Sequence, residues 1–137
     1  MNIYKPFRKG SLLIPSGPCL HLHVICNDPV FYPSLAKECF LAVNISSIDP
    51  IIQYDPSCIL KAGDHPFIKH DSYVYYRKAD VFGATTTSRL VAEGEIILHD
   101  PFSDVIFKKI LDGFYQSKEL RPKVFKFFQM YCFEAGK

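Results

Sequence analysis

The sequence predicts a small antiparallel β barrel with helices at one end. Short apolar segments separated by turn residues occupy the first hundred positions, whereas apolar residues recur at helical spacing after Asp100. Consecutive short strands followed by helices are typical of a β+α fold, mainly β with C-terminal helices. A chain of 137 residues is the usual size of one domain, which we place at residues 1–137.

Composition limits the classes of protein. Hydrophobic residues make up 48% and charged residues 22%, as in a folded domain rather than a disordered chain. The apolar runs at residues 12–14 and 40–43 are far shorter than the roughly 18 residues of a membrane span. The first residues contain no apolar signal stretch, so we expect a cytoplasmic protein without membrane contact. A net charge of +2 neither identifies nor excludes a nucleic-acid-binding protein.

The cysteines predict free thiols. Their number is odd, their spacing is irregular and no Cys-x-x-Cys pair occurs, which argues against a zinc-finger type of site. In a reducing cytoplasm such thiols stay unpaired and mostly buried. The five positions are Cys19, Cys26, Cys39, Cys58 and Cys132.

Strands are predicted from apolar alternation and turn signals. In residues 19–26, Leu20, Leu22 and Val24 alternate with His21 and His23, and a period of two indicates a half-buried strand. Further strands are predicted at residues 38–45, 58–60, 72–81 and 90–98, with loops at 31–37 and 85–88.

Two helices are predicted in the segment of residues 103–132. Ser103 is a suitable N-cap, and apolar residues follow it at helical spacing as far as Gly113, where we expect that helix to end. Pro122 is a favoured first residue for the second helix. The apolar face of that helix contains Val124, Phe127, Phe128 and Tyr131.

Histidines are the main candidates for chemistry. His21 and His23 share one face of their predicted strand, and Asn44 and Ser46 share a face of the next. The loop at residues 63–73 adds a second group, composed of His65, Lys69 and His70. A small barrel could bring the two groups together.

Three interpretations of the histidines remain open. Paired histidines can transfer protons near neutral pH, and a lysine can stabilise negative charge on a phosphate. A His-x-His pair with a third ligand can instead form a zinc or iron site. Finally, histidines can be structural, with both ring nitrogens satisfied by hydrogen bonds.

Aromatic residues suggest a surface for RNA. Tyr73 and Tyr75 alternate with basic residues, among them Arg77, so this strand can stack bases and contact phosphates. With Asn44, these residues form the predicted nucleic-acid-binding set. The alternative is that the tyrosines fill the core and the charges are solvated.

Three segments resemble the PemK/MazF type of toxin. Residues 20–26 correspond to the family's Arg-Pro and apolar strand, and residues 41–47 resemble the strand that ends in a catalytic Thr or Ser. Residues 67–74 resemble its Leu-x-x-x-Ser-x-Val entry into a strand. The resemblance implies an SH3-like barrel, a homodimer, ribonuclease activity and a cognate antitoxin protein as partner.

Only Ser46 matches the family's site residue by residue, because Leu20 or His21 stands where the family has its arginine. A histidine must then take over part of the arginine's function, with His21 or His23 as one proton-transfer group and His65 or His70 as the other. Lys69 would stabilise the developing charge.

The sequence therefore predicts a toxin-like RNA-binding protein that acts as an endoribonuclease without metal or cofactor. A non-catalytic barrel module that binds a protein or nucleic acid is the first alternative. A metal-dependent enzyme built on His21 and His23 is the second.

Overall fold

The computed structural model describes residues 3–133, which form a mainly antiparallel β sheet with three α-helices. The strands are β1 (Ser11–Ser16), β2 (Cys19–Ile25), β3 (Val30–Tyr32), β4 (Lys37–Ser47), β5 (Ile59–Leu60), β6 (Ser72–Val74), β7 (Asp80–Gly83) and β8 (Ile97–His99). The helices are α1 (Ala84–Ala92), α2 (Asp104–Gln116) and α3 (Pro122–Tyr131), and a 3₁₀ turn covers Tyr76–Lys78.

Strand β4 is the centre of the sheet. Along one edge it pairs with β2 and β3, and along the other with β6 and β7. The strand order is β5-β6-β4-β2-β1-β8, and within residues 3–133 no pairing joins β5 to β8, so the sheet is not closed. The β+α class predicted from the sequence is confirmed.

Each face of the sheet packs against different helices. One face carries Leu22, Val24 and Val43 into the larger core, which α2 and α3 cover with Ile110, Phe114 and other apolar residues. The opposite face carries Leu12, Phe40 and Ala42 into a smaller core with Leu90 and Val91 of α1. Residues that alternate along β2 and β4 therefore belong to different faces.

Local signals located two helices correctly, but one helix end was wrong. Ser103 caps α2 by accepting a hydrogen bond from the Ile106 N–H, and Pro122 is the first residue of α3. Gly113 does not end α2, which continues to Gln116. Its lack of a side chain admits the Tyr76 hydroxyl, because a Cβ at position 113 would lie 1.9 Å from that oxygen.

The predicted loop at residues 85–88 and the strand at 90–98 were wrong, because α1 occupies Ala84–Ala92 and only Ile97–His99 is extended. Thr87 and Ser88 donate their hydroxyls to carbonyls one turn earlier, at 2.9 and 3.0 Å, so they are accommodated inside the helix.

The predicted strand at residues 72–81 is interrupted by the 3₁₀ turn, which directs Tyr76 into the core. Part of the predicted loop at 31–37 is strand β3. The strands predicted at 19–26, 38–45 and 58–60 are confirmed within one or two residues at each end.

All five cysteines are free, and all except the exposed Cys19 are buried, as predicted. Across residues 3–133, none of the helices has both the length and the apolar character needed to cross a lipid bilayer.

Candidate functional site

The structure gathers six of the predicted site residues into two rows on one face of the sheet. His23 pairs with Asn44 across β2 and β4, and the Asn44 carbonyl accepts the Tyr75 N–H at 2.8 Å. One pair further along, Ser46 is opposite Tyr73, and the same register places His21 beside Ser46. We call these residues the histidine–tyrosine face: His21, Ser46 and Tyr73 in one row, and His23, Asn44 and Tyr75 in the other.

Asn44 gives this face an unused acceptor. The residue is only 7% exposed, and its side-chain oxygen has no hydrogen-bond partner among the described residues. A buried polar atom left unpaired costs roughly 1–3 kcal/mol. A ligand that reaches this oxygen would recover that cost, once the side chains that cover it move aside.

His23 is held neutral. Its Nδ1 lies 2.9 Å from the His21 carbonyl oxygen. Nδ1 therefore carries the ring proton and donates a hydrogen bond to that oxygen, which leaves Nε2 as an acceptor. Burial lowers the pKa of His23 to about 4, despite the opposing effect of that hydrogen bond. The ring meets Phe82 edge-on at 6.2 Å. Histidine 23 is therefore a fixed hydrogen-bond acceptor at neutral pH.

The tyrosines form an aromatic edge beside the histidines. The ring of Tyr73 lies 5.2 Å from that of Tyr54 and 5.3 Å from that of Tyr75. The ammonium group of Lys78 lies 5.3 Å from the centre of the Tyr75 ring. Burial raises the pKa of the Tyr73 hydroxyl, and a hydrogen bond with Ser46 opposes that shift. Tyr73 is only 9% exposed, so the rings that the edge offers for stacking are those of Tyr54 and Tyr75, beside one cation.

His65 lies elsewhere and is a structural residue by its contacts. It is 2% exposed, and its Nε2 lies 2.6 Å from the Asp100 carbonyl oxygen and 3.2 Å from the Ser11 hydroxyl. Its Nδ1 accepts the Phe67 N–H at 3.1 Å, so Nε2 is the protonated nitrogen. Burial lowers the pKa of His65, which favours this neutral form. Both ring nitrogens are engaged in holding the loop at residues 61–71 to the end of β8.

Lys69 and His70 lie across the sheet from the histidine–tyrosine face. They line a cavity together with Leu22 and Ile45, whose side chains belong to the larger core. Since neighbours in a strand point to opposite faces, His21 and His23 project away from this cavity. The structure therefore does not bring the loop histidines, His65 and His70, together with His21 and His23.

Arg77 belongs to neither row of the face. It lies in the 3₁₀ turn, with its Nε 3.7 Å from a carboxylate oxygen of Glu119. Tyr54 and His99 were not selected from the sequence. Tyr54 lies in a turn-rich segment without an alternating pattern, and His99 ends a strand whose length was overestimated. Their positions depend on contacts with distant parts of the chain.

Within the part of the chain that the structure describes, no three His, Cys, Asp or Glu side chains are grouped as metal ligands. Comparisons of the chain with models of protein families, with curated proteins and with solved structures found no match.

Proposed function

We propose that this protein binds single-stranded RNA on its histidine–tyrosine face and cleaves it without a metal ion, as a toxin-like endoribonuclease. The observation that carries the proposal is the pair of cross-strand rows, which places two histidines, an unpaired amide oxygen and two tyrosines side by side. This combination offers proton transfer, base recognition and stacking on one surface.

Recognition would use the aromatic edge and Asn44. Unstacked RNA bases bind to tyrosine rings, and stacking contributes about 1–3 kcal/mol per base. Tyr75 is half-buried beside Lys78, so a base on its ring would have its phosphate near the ammonium group. The side-chain oxygen of Asn44 is itself buried, so it would accept an N–H from a base after the side chains that cover it move aside.

Cleavage would be an internal transfer at phosphorus. The ribose 2′-hydroxyl attacks the adjacent phosphate, a 2′,3′-cyclic phosphate forms, and the bond to the 5′-oxygen of the next nucleotide breaks. His21 removes the 2′-hydroxyl proton, and water protonates the leaving 5′-oxygen. The Ser46 hydroxyl, which the resemblance to PemK/MazF toxins also selects, donates to a phosphate oxygen. His23 orients the substrate as an acceptor.

The sheet is compatible with a variant of the SH3-like barrel. Strand β4 spans 11 residues and exchanges its partners midway, from β3 and β7 to β2 and β6, as one strand shared by two parts of a barrel would. Strand β8 forms an edge on which Ile97 and Leu98 remain 47% and 45% exposed. An exposed apolar edge supports a homodimer. In the cytoplasm, a cognate antitoxin protein would then block the histidine–tyrosine face.

The experiment is cleavage of a long mixed-sequence RNA in excess EDTA. We expect fragments that end in 2′,3′-cyclic phosphate from the wild type and none from His21→Gln, while Lys108→Gln, on α2 across the sheet from the face, cleaves normally. Circular dichroism of each variant verifies that it is folded. Equal cleavage by wild type and His21→Gln would overturn this mechanism.

A non-catalytic RNA-binding module is the second candidate. His65 and His70 lie away from the face, and the lowered pKa of His23 keeps that ring neutral. The face is then left with His21 as its proton-transfer group, and this lack of a second group favours binding without cleavage. A filter-binding assay with the same RNA separates the two functions. Binding that depends on Tyr75, without cleavage, would identify the module.

A further inference from the structure

The cavity lined by Lys69 and His70 lies on the opposite side of the sheet from the histidine–tyrosine face, between β2, β4 and the loop at residues 61–71. Its volume is about 460 Å³, within the range of small-molecule sites. Leu22 and Ile45 form an apolar floor. We call it the His70 pocket, and the groups used below are Ser47, Phe67, Lys69, His70 and His99.

The wall of the His70 pocket is rigid. His65 accepts the Phe67 N–H on its ring at 3.1 Å and the Ile68 N–H on its carbonyl at 2.9 Å. The Gly63 N–H closes the loop on the Ile68 carbonyl at 3.1 Å. The Ser72 hydroxyl donates to the His70 carbonyl at 2.8 Å, which fixes the other end. A site held by its own hydrogen bonds loses little entropy when a ligand enters.

The polar lining favours an anion. None of the described residues that line the pocket is an aspartate or a glutamate, whereas Lys69, His70 and His99 are all potential cationic donors. Two carboxylates of the same loop are engaged outside the pocket: Asp71 pairs with the Lys61 ammonium at 3.3 Å, and Asp64 accepts the Lys61 N–H.

His99 presents a donor of fixed orientation. Its Nδ1 accepts the Asp100 N–H at 2.8 Å, so the proton of the neutral ring is on Nε2. The ring stands edge-on to Phe67, at 5.7 Å and 73°. Phe67 itself is 38% exposed and offers a ring to stack on. A ligand with a flat ring and an anionic group therefore matches the lining, because the ring can stack on Phe67 and the anion can bind the cationic donors.

We propose that the His70 pocket binds a nucleoside monophosphate, with the base beside Phe67 on the apolar floor and the phosphate among Lys69, His70 and His99. The phosphate belongs either to a free nucleotide or to the phosphorylated end of an RNA chain. Because the pocket and the histidine–tyrosine face are on opposite sides of the sheet, this binding does not depend on the proposed RNA cleavage.

The test is an NMR titration of the full-length protein labelled with ¹⁵N, with AMP, adenosine and inorganic phosphate as separate probes. We expect AMP to shift the amide signals of residues 66–70 and 99, and to bind about tenfold more tightly than either fragment. Lys69→Gln should weaken AMP binding about tenfold, whereas Lys118→Gln removes an exposed charge between α2 and α3, away from the pocket, and should leave AMP binding unchanged.

Three results would overturn the proposal: no saturable AMP binding, equal affinity for phosphate and AMP, or shifts confined to the histidine–tyrosine face. A 5′-phosphorylated tetranucleotide then identifies the source of the phosphate. Tighter binding than AMP at the same amides assigns the pocket to an RNA end, whereas weaker binding assigns it to a free nucleotide. Either result supports the site.

Discussion

The Tyr76 hydroxyl donates a 2.7 Å hydrogen bond to the Ile110 carbonyl and lies directly against Gly113. Tyr76 is fully buried, and its ring meets Phe114 edge-on at 4.9 Å. Burial raises the pKa of its hydroxyl far above the usual range, so the group stays protonated as a donor. This contact joins the 3₁₀ turn after β6 to the middle of α2, and so fixes the helix on the sheet.

Gly113→Ala is predicted to destabilise the protein by about 2 kcal/mol. Alanine favours a helix by roughly 1 kcal/mol, but its Cβ would overlap the Tyr76 hydroxyl and displace it from the Ile110 carbonyl. Urea unfolding measures the difference. Gln116→Ala, on the exposed end of the same helix, is the control and should change stability by less than about 0.5 kcal/mol. A stabilised Gly113→Ala protein would contradict the contact.

Stability is predicted to fall between about pH 6.5 and pH 4. The folded-state pKa of His23 lies near 4, below the unfolded value of 6.5, so the unfolded chain binds the extra proton in this range. The contribution of His23 to the free energy of unfolding is therefore fully present above pH 6.5. It decreases as the pH falls toward 4, by about 3 kcal/mol in total. The lowered pKa of His65 acts in the same direction.

Urea unfolding at a series of pH values tests this prediction, with His23→Asn as the diagnostic variant. An asparagine amide can donate to the His21 carbonyl as the His23 ring does, but it does not titrate. We expect a shallower decline of stability for His23→Asn than for the wild type. An identical decline would show that His23 does not contribute.

Local sequence patterns predicted those parts of the fold that local chemistry controls. The alternation in residues 19–26 located β2, and the Ser103 cap and Pro122 located the starts of α2 and α3. Helix α1 was missed because its β-branched threonines favour extended structure locally. The packing of its Leu90 and Val91 against the sheet overrides that preference.

In the candidate site, too, local sequence patterns predicted the strand positions but not the path of the loop. Because His21 and His23 are two residues apart in a strand, as are Asn44 and Ser46, each pair was correctly assigned to one face. The path of the loop at residues 61–71 could not be derived, because it depends on the contact of His65 with Asp100, 35 residues away. That contact directs Lys69 and His70 to the other side of the sheet.

Asn44→Leu is predicted to separate stability from RNA binding. The substitution removes a buried oxygen that has no partner within residues 3–133, so stability should stay the same or rise by about 1 kcal/mol. RNA affinity should fall at least about fivefold, because the acceptor for a base is lost. Unfolding in urea and filter binding measure the two effects. A loss of stability without a loss of affinity would show that Asn44 is structural.

Tyr75→Leu is predicted to weaken binding of single-stranded RNA by roughly 5- to 150-fold, since it removes one stacking ring worth about 1–3 kcal/mol. Its matched control is Tyr115→Leu, which changes an exposed tyrosine on α2, outside the histidine–tyrosine face. Lys78→Gln should instead reduce the salt dependence of binding by the equivalent of about one phosphate contact. Its ammonium group lies beside the Tyr75 ring, close to where the phosphate of a stacked nucleotide would be. Equal losses for Tyr75→Leu and Tyr115→Leu would move the RNA site away from this face.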